Sequence, residues 1–221
     1  SLGLTIYYFS VDNEMIYIKS SYLVVNAGKS FSAEGENGLL DFRNRADSTT
    51  LTYSIQQEDE DKEVLQYFEK EKIFRAVNGG EAKIIVKTNN RSYSRLVIDV
   101  LVCDGSENYP YMVNNEEELI QMDQNKSYKL NNDIELTNNW TPISFNGVLD
   151  GNHHAIKGLK ITDDEIANTV NVGFISILGG TIKNLQLVDV DINVSKAVTL
   201  GAFAGRVNGN KTIIDNVEFQ Y

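Results

Sequence analysis

The chain has 221 residues, of which 42% are hydrophobic and 23% charged, close to an average globular protein. This composition excludes global disorder and provides enough apolar side chains for one large domain or two ordinary ones. The net charge of −11 argues against nucleic acid and anionic membrane surfaces as partners, because both bind positively charged surfaces.

Short β-branched and aromatic runs dominate the first half of the chain and predict strands. In chain order these runs are residues 4–9, 51–55, 83–86 and 96–102. Gly, Asn and Asp separate them and predict turns, so the spacing is typical of a β-sandwich. Cys103 follows the last run and is the only cysteine, which excludes an intrachain disulfide and predicts a small core residue.

A polar segment at residues 104–108 separates two regions of different composition. Most asparagines, both prolines and the only tryptophan lie beyond it. We therefore predict two domains, residues 1–105 and residues 106–221. The chain begins without the segments of a signal peptide, and it ends inside a predicted strand, so we expect the second domain to be truncated at its C-terminus.

A short helix is predicted at residues 115–122, just past this boundary. Asn115 is placed to cap it, and Glu118 stands where the carboxylate of a capping box returns the hydrogen bond.

After the helix the sequence repeats itself. Residues 155–161, 181–187 and 213–219 share an alternation of apolar and polar side chains, and residues 172–175 recur at residues 200–203. Similarity at this spacing predicts a solenoid in which each repeat buries a face on its neighbours. The glycines between these strands predict corners with positive φ: Gly173, Gly179, Gly180, Gly201, Gly205 and Gly209.

The first region resembles bacterial immunoglobulin-like domains of the group 2 type, found along Gram-positive surface proteins and intimins. The resemblance extends from about residue 18 to residue 102. It rests on residues 25–31, 50–55, 74–86 and 97–102, with Tyr53 where a tryptophan is common. It implies an immunoglobulin-like β-sandwich.

The second region resembles the GLUG-type repeat regions of bacterial adhesins and large surface proteases. Residues 128–136 and 140–152 are similar to the opening of such regions, and residues 201–205 and 214–217 to the repeat itself. His153 stands where the family usually has a turn glycine. The fold class that we predict is therefore all-β: an immunoglobulin-like β-sandwich followed by the N-terminal part of a right-handed parallel β-helix, a β-solenoid.

Residues that carry out catalysis or bind metals form no convincing set. His153 and His154 are adjacent, and we interpret them as turn residues rather than metal ligands. Asp189 and Asp191 share one face of a predicted strand, as paired catalytic carboxylates would, but the alternation favours a solvated face. Residues 163–165 are acidic and lack the spacing of a calcium loop. The sequence thus predicts a protein that is not an enzyme, with no cofactor and no metal.

Aromatic residues at the start of the second region are the candidates for ligand binding. They are Tyr109, Tyr111, Tyr128, Trp140 and Phe145. Some of them are expected to cover the first repeat, which has no neighbour on one side, and this use can coexist with a sugar-stacking platform. We predict ligand-binding roles for Tyr109, Tyr111, Trp140 and Phe145.

The two resemblances imply a non-enzymatic region of a secreted or cell-surface bacterial protein. It would be an adhesin-like binding or stalk module that contacts a host glycan, a matrix protein or a cell-wall polymer through an extended β surface. The alternative is a non-catalytic accessory region of a large secreted protease or polysaccharide-degrading enzyme. A third possibility is polysaccharide cleavage by the chain itself. We expect a monomer that binds no nucleic acid and, lacking an apolar run of about 18 residues, does not insert into a membrane.

Overall fold

The computed structural model describes residues 15–58, 61–89, 95–166, 171–197, 199–209 and 211–221. The strand predicted at residues 4–9 lies outside the described residues. The described chain is predominantly β-structure with one short helix, in agreement with the predicted all-β class. It divides into two compact units, Ser1–Asp104 and Gly105–Tyr221.

Strands make up the regular structure of the first unit in its described part. They are β1 (Met15–Ile18), β2 (Tyr22–Asn26), β3 (Ser30–Ser32), β4 (Leu40–Arg43), β5 (Leu51–Gln57), β6 (Leu65–Phe68), β7 (Ile73–Ala76), β8 (Gly80–Thr88) and β9 (Arg95–Cys103). The runs predicted at residues 51–55, 83–86 and 96–102 are confirmed as strands. One sheet has the order β2-β9-β8-β5, a second has the order β3-β7-β6, and β1 pairs with β4. The β2-β9 pair is parallel, and the other pairs are antiparallel.

The core of the first unit follows from the two-residue period of its strands. Along β8, Glu81 and Lys83 are exposed while Ala82 and Ile84 are buried, because successive side chains point to opposite faces. Buried residues of both sheets and of the β1-β4 pair belong to one cluster. Burying each large apolar side chain contributes about 1.5–3 kcal/mol, so this cluster supplies the main stabilising free energy.

A polar network centred on Glu34 packs against this core. Its carboxylate accepts hydrogen bonds from Arg45 Nη1 at 2.7 Å, Tyr53 Oη at 2.8 Å and Lys72 Nζ at 3.1 Å. Burial alone raises the pKa of Glu34, but these three donors outweigh it and hold the pKa below its usual value. Burial and the bond to Glu34 raise the pKa of Tyr53, so its hydroxyl remains a donor at neutral pH.

The second unit contains one helix and a series of short strands in its described part. They are β10 (Tyr111–Val113), α1 (Glu116–Ile120), β11 (Tyr128–Leu130), β12 (Ile134–Glu135), β13 (Ile143–Phe145), β14 (Val148–Asp150), β15 (Ala155–Lys157), β16 (Lys160–Thr162), β17 (Asn171–Val172), β18 (Ile175–Leu178), β19 (Thr181–Val188), β20 (Asp191–Asn193), β21 (Thr199–Leu200), β22 (Ala204–Val207) and β23 (Ile213–Phe219). The largest sheet has the order β10-β11-β14-β19-β15-β12, with β23 paired to β19. Smaller sheets have the orders β13-β18-β22, β16-β20 and β17-β21.

Pairing in the second unit is parallel, which aligns register-matched side chains in columns. One column consists of Tyr111, Tyr128, Leu149, Ile182 and Ile214, taken from β10, β11, β14, β19 and β23. Tyr128, Leu149 and Ile182 are buried in a single core cluster with the inward residues of the other strands. Each strand therefore covers the apolar face of the strand before it.

The repeat alignment is only partly reproduced by the strand register. Thr181 pairs with Ile213, as the predicted match of these two repeats requires. Ala155, however, pairs with Gln186, and the partner of Thr181 in the earlier sequence is Val148. The predicted match of residues 155–161 with residues 181–187 is therefore wrong. β14 and β15 instead pair with the two ends of the longer β19.

The predicted reason for most of the repeat glycines is wrong. Of the six, Gly209 has a positive φ, 111°. At the others a Cβ would overlap nearby atoms, most often the backbone of a neighbouring segment. A Cβ on Gly180, for example, would overlap the carbonyl oxygen of Gly147, and one on Gly173 would overlap that of Gly201.

The corners with positive φ are occupied by other residues, including Asn152, His153, Asn184, Asp189 and Asn216. Asn and His tolerate this region better than most residues. Asn184 lies at φ 50° and donates to Asp150 Oδ1 at 3.1 Å, and Asn216 donates to Asn184 Oδ1 at 2.8 Å. The side-chain hydrogen bonds thus link one corner to the next.

The predicted helix cap is confirmed, with one difference in its partner. The Asn115 side chain accepts the backbone N–H of Glu118 at 2.9 Å. The Glu118 carboxylate returns a bond to the N–H of Asn114, at 2.7 Å, instead of to that of the capping residue. Leu119 is fully buried in the core of the second unit, so α1 is anchored there.

Candidate functional site

The aromatic residues predicted to bind ligands form part of the second unit's core. Phe145 has no exposed surface and Trp140 is 3% exposed. The Trp140 indole stacks on Phe174 with a centroid separation of 4.9 Å, and its N–H donates to the Phe174 carbonyl at 2.7 Å. Both side chains are buried and fill the core of the second unit, and their predicted ligand-binding role stays a prediction.

Tyr109 and Tyr111 are half-buried, and their predicted ligand-binding role stays a prediction. The ring of Tyr111 packs against that of Tyr128 at 5.7 Å. A cavity of about 120 Å³ beside Trp140 is lined by Glu116 and Ile120 among others. It is smaller than the roughly 300–1,000 Å³ of most ligand sites.

Asp189 and Asp191 do not share a face of one strand, so that prediction is wrong. Asp189 has a φ of 54° and lies in the bend after β19, whereas Asp191 begins β20. The bend changes the direction of the chain between the two residues, and the alternation of apolar and polar residues in the sequence does not indicate it.

Two carboxylates of the acidic segment at residues 163–165 accept hydrogen bonds from neighbouring residues. The Asp163 carboxylate accepts from Ser195 N and Oγ, and the Glu165 carboxylate accepts from Thr162 N and Oγ1. The bonds from Ser195 hold the pKa of Asp163 below its usual value. In the part of the chain that the structure describes, no three His, Cys, Asp or Glu side chains are grouped as a metal site requires.

His153 and His154 take different positions at one corner. His153 has a φ of 65°, and its N–H donates to the Asn184 carbonyl at 3.0 Å. His154 Nδ1 lies 3.3 Å from Asp133, whose other carboxylate oxygen contacts Lys157 at 2.9 Å. These contacts link neighbouring strands on an exposed surface.

The strongest candidate site is a groove on the outer face of the first unit's larger sheet. Its centre is a row of four register-matched residues on four strands: Gln56 (β5), Lys83 (β8), Asp99 (β9) and Tyr22 (β2). Because alternate residues share a face, these side chains lie opposite the core-facing positions. The groove has a volume of about 360 Å³, within the usual range for ligand sites.

The groove combines an exposed aromatic ring with hydrogen-bonding groups. Tyr22 is 54% exposed, and Lys83 Nζ and Asp99 Oδ1 form an ion pair at 2.6 Å. Gln57, Glu58 and Glu81 also line the groove, so three carboxylates face one ammonium group. Desolvation, followed by the charge of Glu81, raises the pKa of Tyr22, and the bond to Asp99 raises the pKa of Lys83. Both therefore remain hydrogen-bond donors at neutral pH.

This arrangement suits a hydroxyl-rich ligand. A tyrosine ring offers an apolar face together with a polar hydroxyl, while amide and carboxylate groups supply both donors and acceptors. The sequence analysis missed this site, although the alternation within β8 and β9 already placed Lys83 and Asp99 among outward residues. What it lacked was the register, above all the parallel pairing that brings Tyr22 beside Asp99.

Comparison of the chain with protein-family models, with curated proteins and with solved structures found no match. The single helix within the described ranges, α1, is too short to cross a membrane.

Proposed function

We propose that this chain is a non-enzymatic binding module of a secreted or cell-surface bacterial protein. Its ligand is a glycan, from a host or from a cell wall, held in the groove between Tyr22 and Gln56. The observation that carries the proposal is the exposed Tyr22 ring at one end of a row of amide, ammonium and carboxylate groups.

The architecture that we propose for this function is an immunoglobulin-like sandwich followed by part of a parallel β-helix. Two sheets around one core, and the resemblance of residues 18–102 to group 2 bacterial domains, support the first part. The parallel pairing of residues 181–187 with residues 213–219, and the resemblance to GLUG-type regions, support the second. Both resemblances favour an extracellular location.

Several features favour binding over catalysis. The carboxylates of the second unit that show lowered pKa values accept hydrogen bonds from backbone or side-chain groups. They are thus engaged in holding strands and corners together. In the groove, Asp99 is paired with Lys83 and contributes a fixed charge. Recognition in the groove would then depend on ring stacking and on hydrogen bonds to hydroxyl groups.

The proposal is tested by screening the full chain against an array of host glycans and bacterial wall polysaccharides, followed by titration calorimetry on any hit. Tyr22→Ala should weaken binding by roughly tenfold or more, because buried aromatic contacts dominate most interfaces. Asp99→Asn should weaken it less. Phe68→Ala is the matched control, since Phe68 is an exposed aromatic on the other sheet of this unit. A blank array with a folded chain, or equal losses for Tyr22→Ala and Phe68→Ala, would refute the groove as the site.

A further inference from the structure

The last strands of the second unit leave its apolar columns uncovered. In the column defined above, Ile182 is fully buried, whereas its neighbour Ile214 on β23 is 42% exposed. The same change from a buried residue to an exposed last member occurs at three further positions: Leu187 is followed by Phe219, Leu178 by Val207, and Val172 by Leu200. The last members belong to β21, β22 and β23, which together form one end of the stack of strands.

The beginning of the same stack is covered. On β10, Val113 is buried and Tyr111, the first member of the column that ends at Ile214, is half-buried. Phe145, the first member of the column that ends at Val207, is buried. Helix α1 adds Leu119 to the same core. The two ends therefore differ: one carries a cap, and the other presents half-exposed apolar side chains on a seven-residue strand.

A charged column also stops at this open end. Lys129, Asp150, Lys183 and Asp215 are register-matched on β11, β14, β19 and β23. The signs alternate from strand to strand, and Lys183 Nζ lies 3.7 Å from Asp150 Oδ2. Opposite charges on neighbouring strands stabilise the pairing, and like charges destabilise it. A strand added beyond Asp215 is favoured if it places a basic side chain there.

The asparagine corners impose a second requirement. Asn184 donates to Asp150, and Asn216 donates to Asn184, so each side-chain amide donates towards the preceding strand. By the same polarity, Asn216 Oδ1 is the acceptor for a side-chain amide on a following strand.

We propose that the open edge of β23 binds a further polypeptide segment as a parallel strand with a defined sequence pattern. The segment carries an apolar residue opposite Ile214, Lys or Arg opposite Asp215, Asn opposite Asn216, and apolar residues opposite Val217 and Phe219. Main-chain hydrogen bonds to an unpaired edge supply affinity, and alternate side chains supply specificity. This surface is separate from the groove of the first unit, and it stands or fails independently of glycan binding.

The chain itself contains a segment with this pattern. β19 carries Ile182, Lys183, Asn184, Leu185 and Leu187 in the register that pairs with β23. Residues 175–193 of this sequence, joined to a soluble carrier protein, are therefore a suitable probe. The full chain, immobilised on a sensor surface, is titrated with this fusion and with the carrier alone.

Saturable binding is expected for the fusion and none for the carrier. A probe with Lys183→Asp should bind about three- to tenfold more weakly, and the chain variant Asp215→Lys should reverse that preference. Ile214→Lys in the chain should abolish binding. Ile120→Lys should leave it unchanged, because Ile120 is equally exposed on α1 at the capped end. Trp140 fluorescence verifies that each variant is folded.

Three results would overturn the proposal. The first is the absence of saturable binding to a folded chain. The second is an affinity that changes neither with Lys183→Asp in the probe nor with Asp215→Lys in the chain, since this would indicate unspecific apolar adhesion. The third is concentration-dependent dimerisation of the chain alone that Ile214→Lys removes and Asp215→Lys does not. In that case a second copy, and not a strand of this pattern, covers the open end.

Discussion

The two units bury their apolar side chains in different ways. In the first unit, buried residues of two sheets and a strand pair meet in one shared cluster, accompanied by the hydrogen-bonded Glu34 network. In the second unit, parallel strands place like residues above one another, so each strand is covered mainly by its neighbours in the stack. Register-matched residues of the same type, such as Ile182 and Ile214, therefore differ in burial because one lies inside the column and the other at its end.

Stability should therefore be distributed differently in the two units. A side chain in the middle of a column loses contacts on both sides when it is truncated, whereas one at the open end loses contacts on one side. In the first unit, by contrast, a partly buried charge network contributes beside the apolar cluster, and its strength depends on pH.

Two isoleucines of the same column should differ most in what their truncation costs in unfolding free energy. Ile182→Ala should lower the free energy of unfolding of the second unit by about 2–5 kcal/mol, because it leaves a cavity in a packed core. Ile214→Ala should cost less than about 1 kcal/mol, because this side chain is already partly in water. Urea denaturation followed by Trp140 fluorescence measures both, since the chain's only tryptophan lies in this unit. Equal losses would contradict a stack that is open at β23.

The next effect concerns the Glu34 network of the first unit. Glu34→Gln should destabilise this unit by about 1–3 kcal/mol, because Arg45, Tyr53 and Lys72 lose a charged acceptor. Hydrogen exchange of peptides from β7 and β8 measures the loss in the first unit alone. Glu36→Gln is the control, as Glu36 is exposed. A loss as small as that of the control would mean that the network is not stabilising.

The same carboxylate should make the first unit sensitive to acid. Its pKa is lower when folded than its ordinary value of 4.5, so its stabilising contribution is fully present above that value. It is lost as the pH falls below about 4.5 and through the lowered folded pKa. The Glu34→Gln variant should show a flatter dependence of β7 and β8 exchange over this range. Parallel curves for the two proteins would exclude Glu34 as a cause of acid sensitivity.

Sequence patterns could predict elements here but not their partners. The strand runs, the Asn115 cap and the match of residues 181–187 with residues 213–219 follow from local periodicity and capping chemistry, and the structure contains them. The groove does not follow from local patterns, because Tyr22 and Asp99 meet only through a parallel pairing of strands far apart in the chain. Trp140 likewise is a residue type common in binding sites, and only its contacts with Phe174, 34 residues further along the chain, place it in the core.

A smaller effect is expected at the corners of the second unit. Asn184→Ala should cost about 1–2 kcal/mol more than Asn184→Gly, because both remove the side-chain bond to Asp150 but only alanine is strained at a φ of 50°. Trp140 fluorescence in urea again measures the difference. Equal stability of the two variants would show that strain at this corner is negligible and that the hydrogen bond alone selects asparagine.

The smallest expected effect lies in the groove of the first unit. Lys83→Met removes the ion pair with Asp99, yet it should leave the stability of the unit nearly unchanged, because both side chains are about half exposed and water screens their attraction. Hydrogen exchange of peptides from β8 and β9 measures this change in stability, and the loss caused by Glu34→Gln serves as the comparison. If the ion pair is kept for recognition, the variant should weaken any glycan binding while leaving exchange nearly unaltered. A large stability loss with unchanged binding would instead assign Lys83 and Asp99 to holding the sheet together.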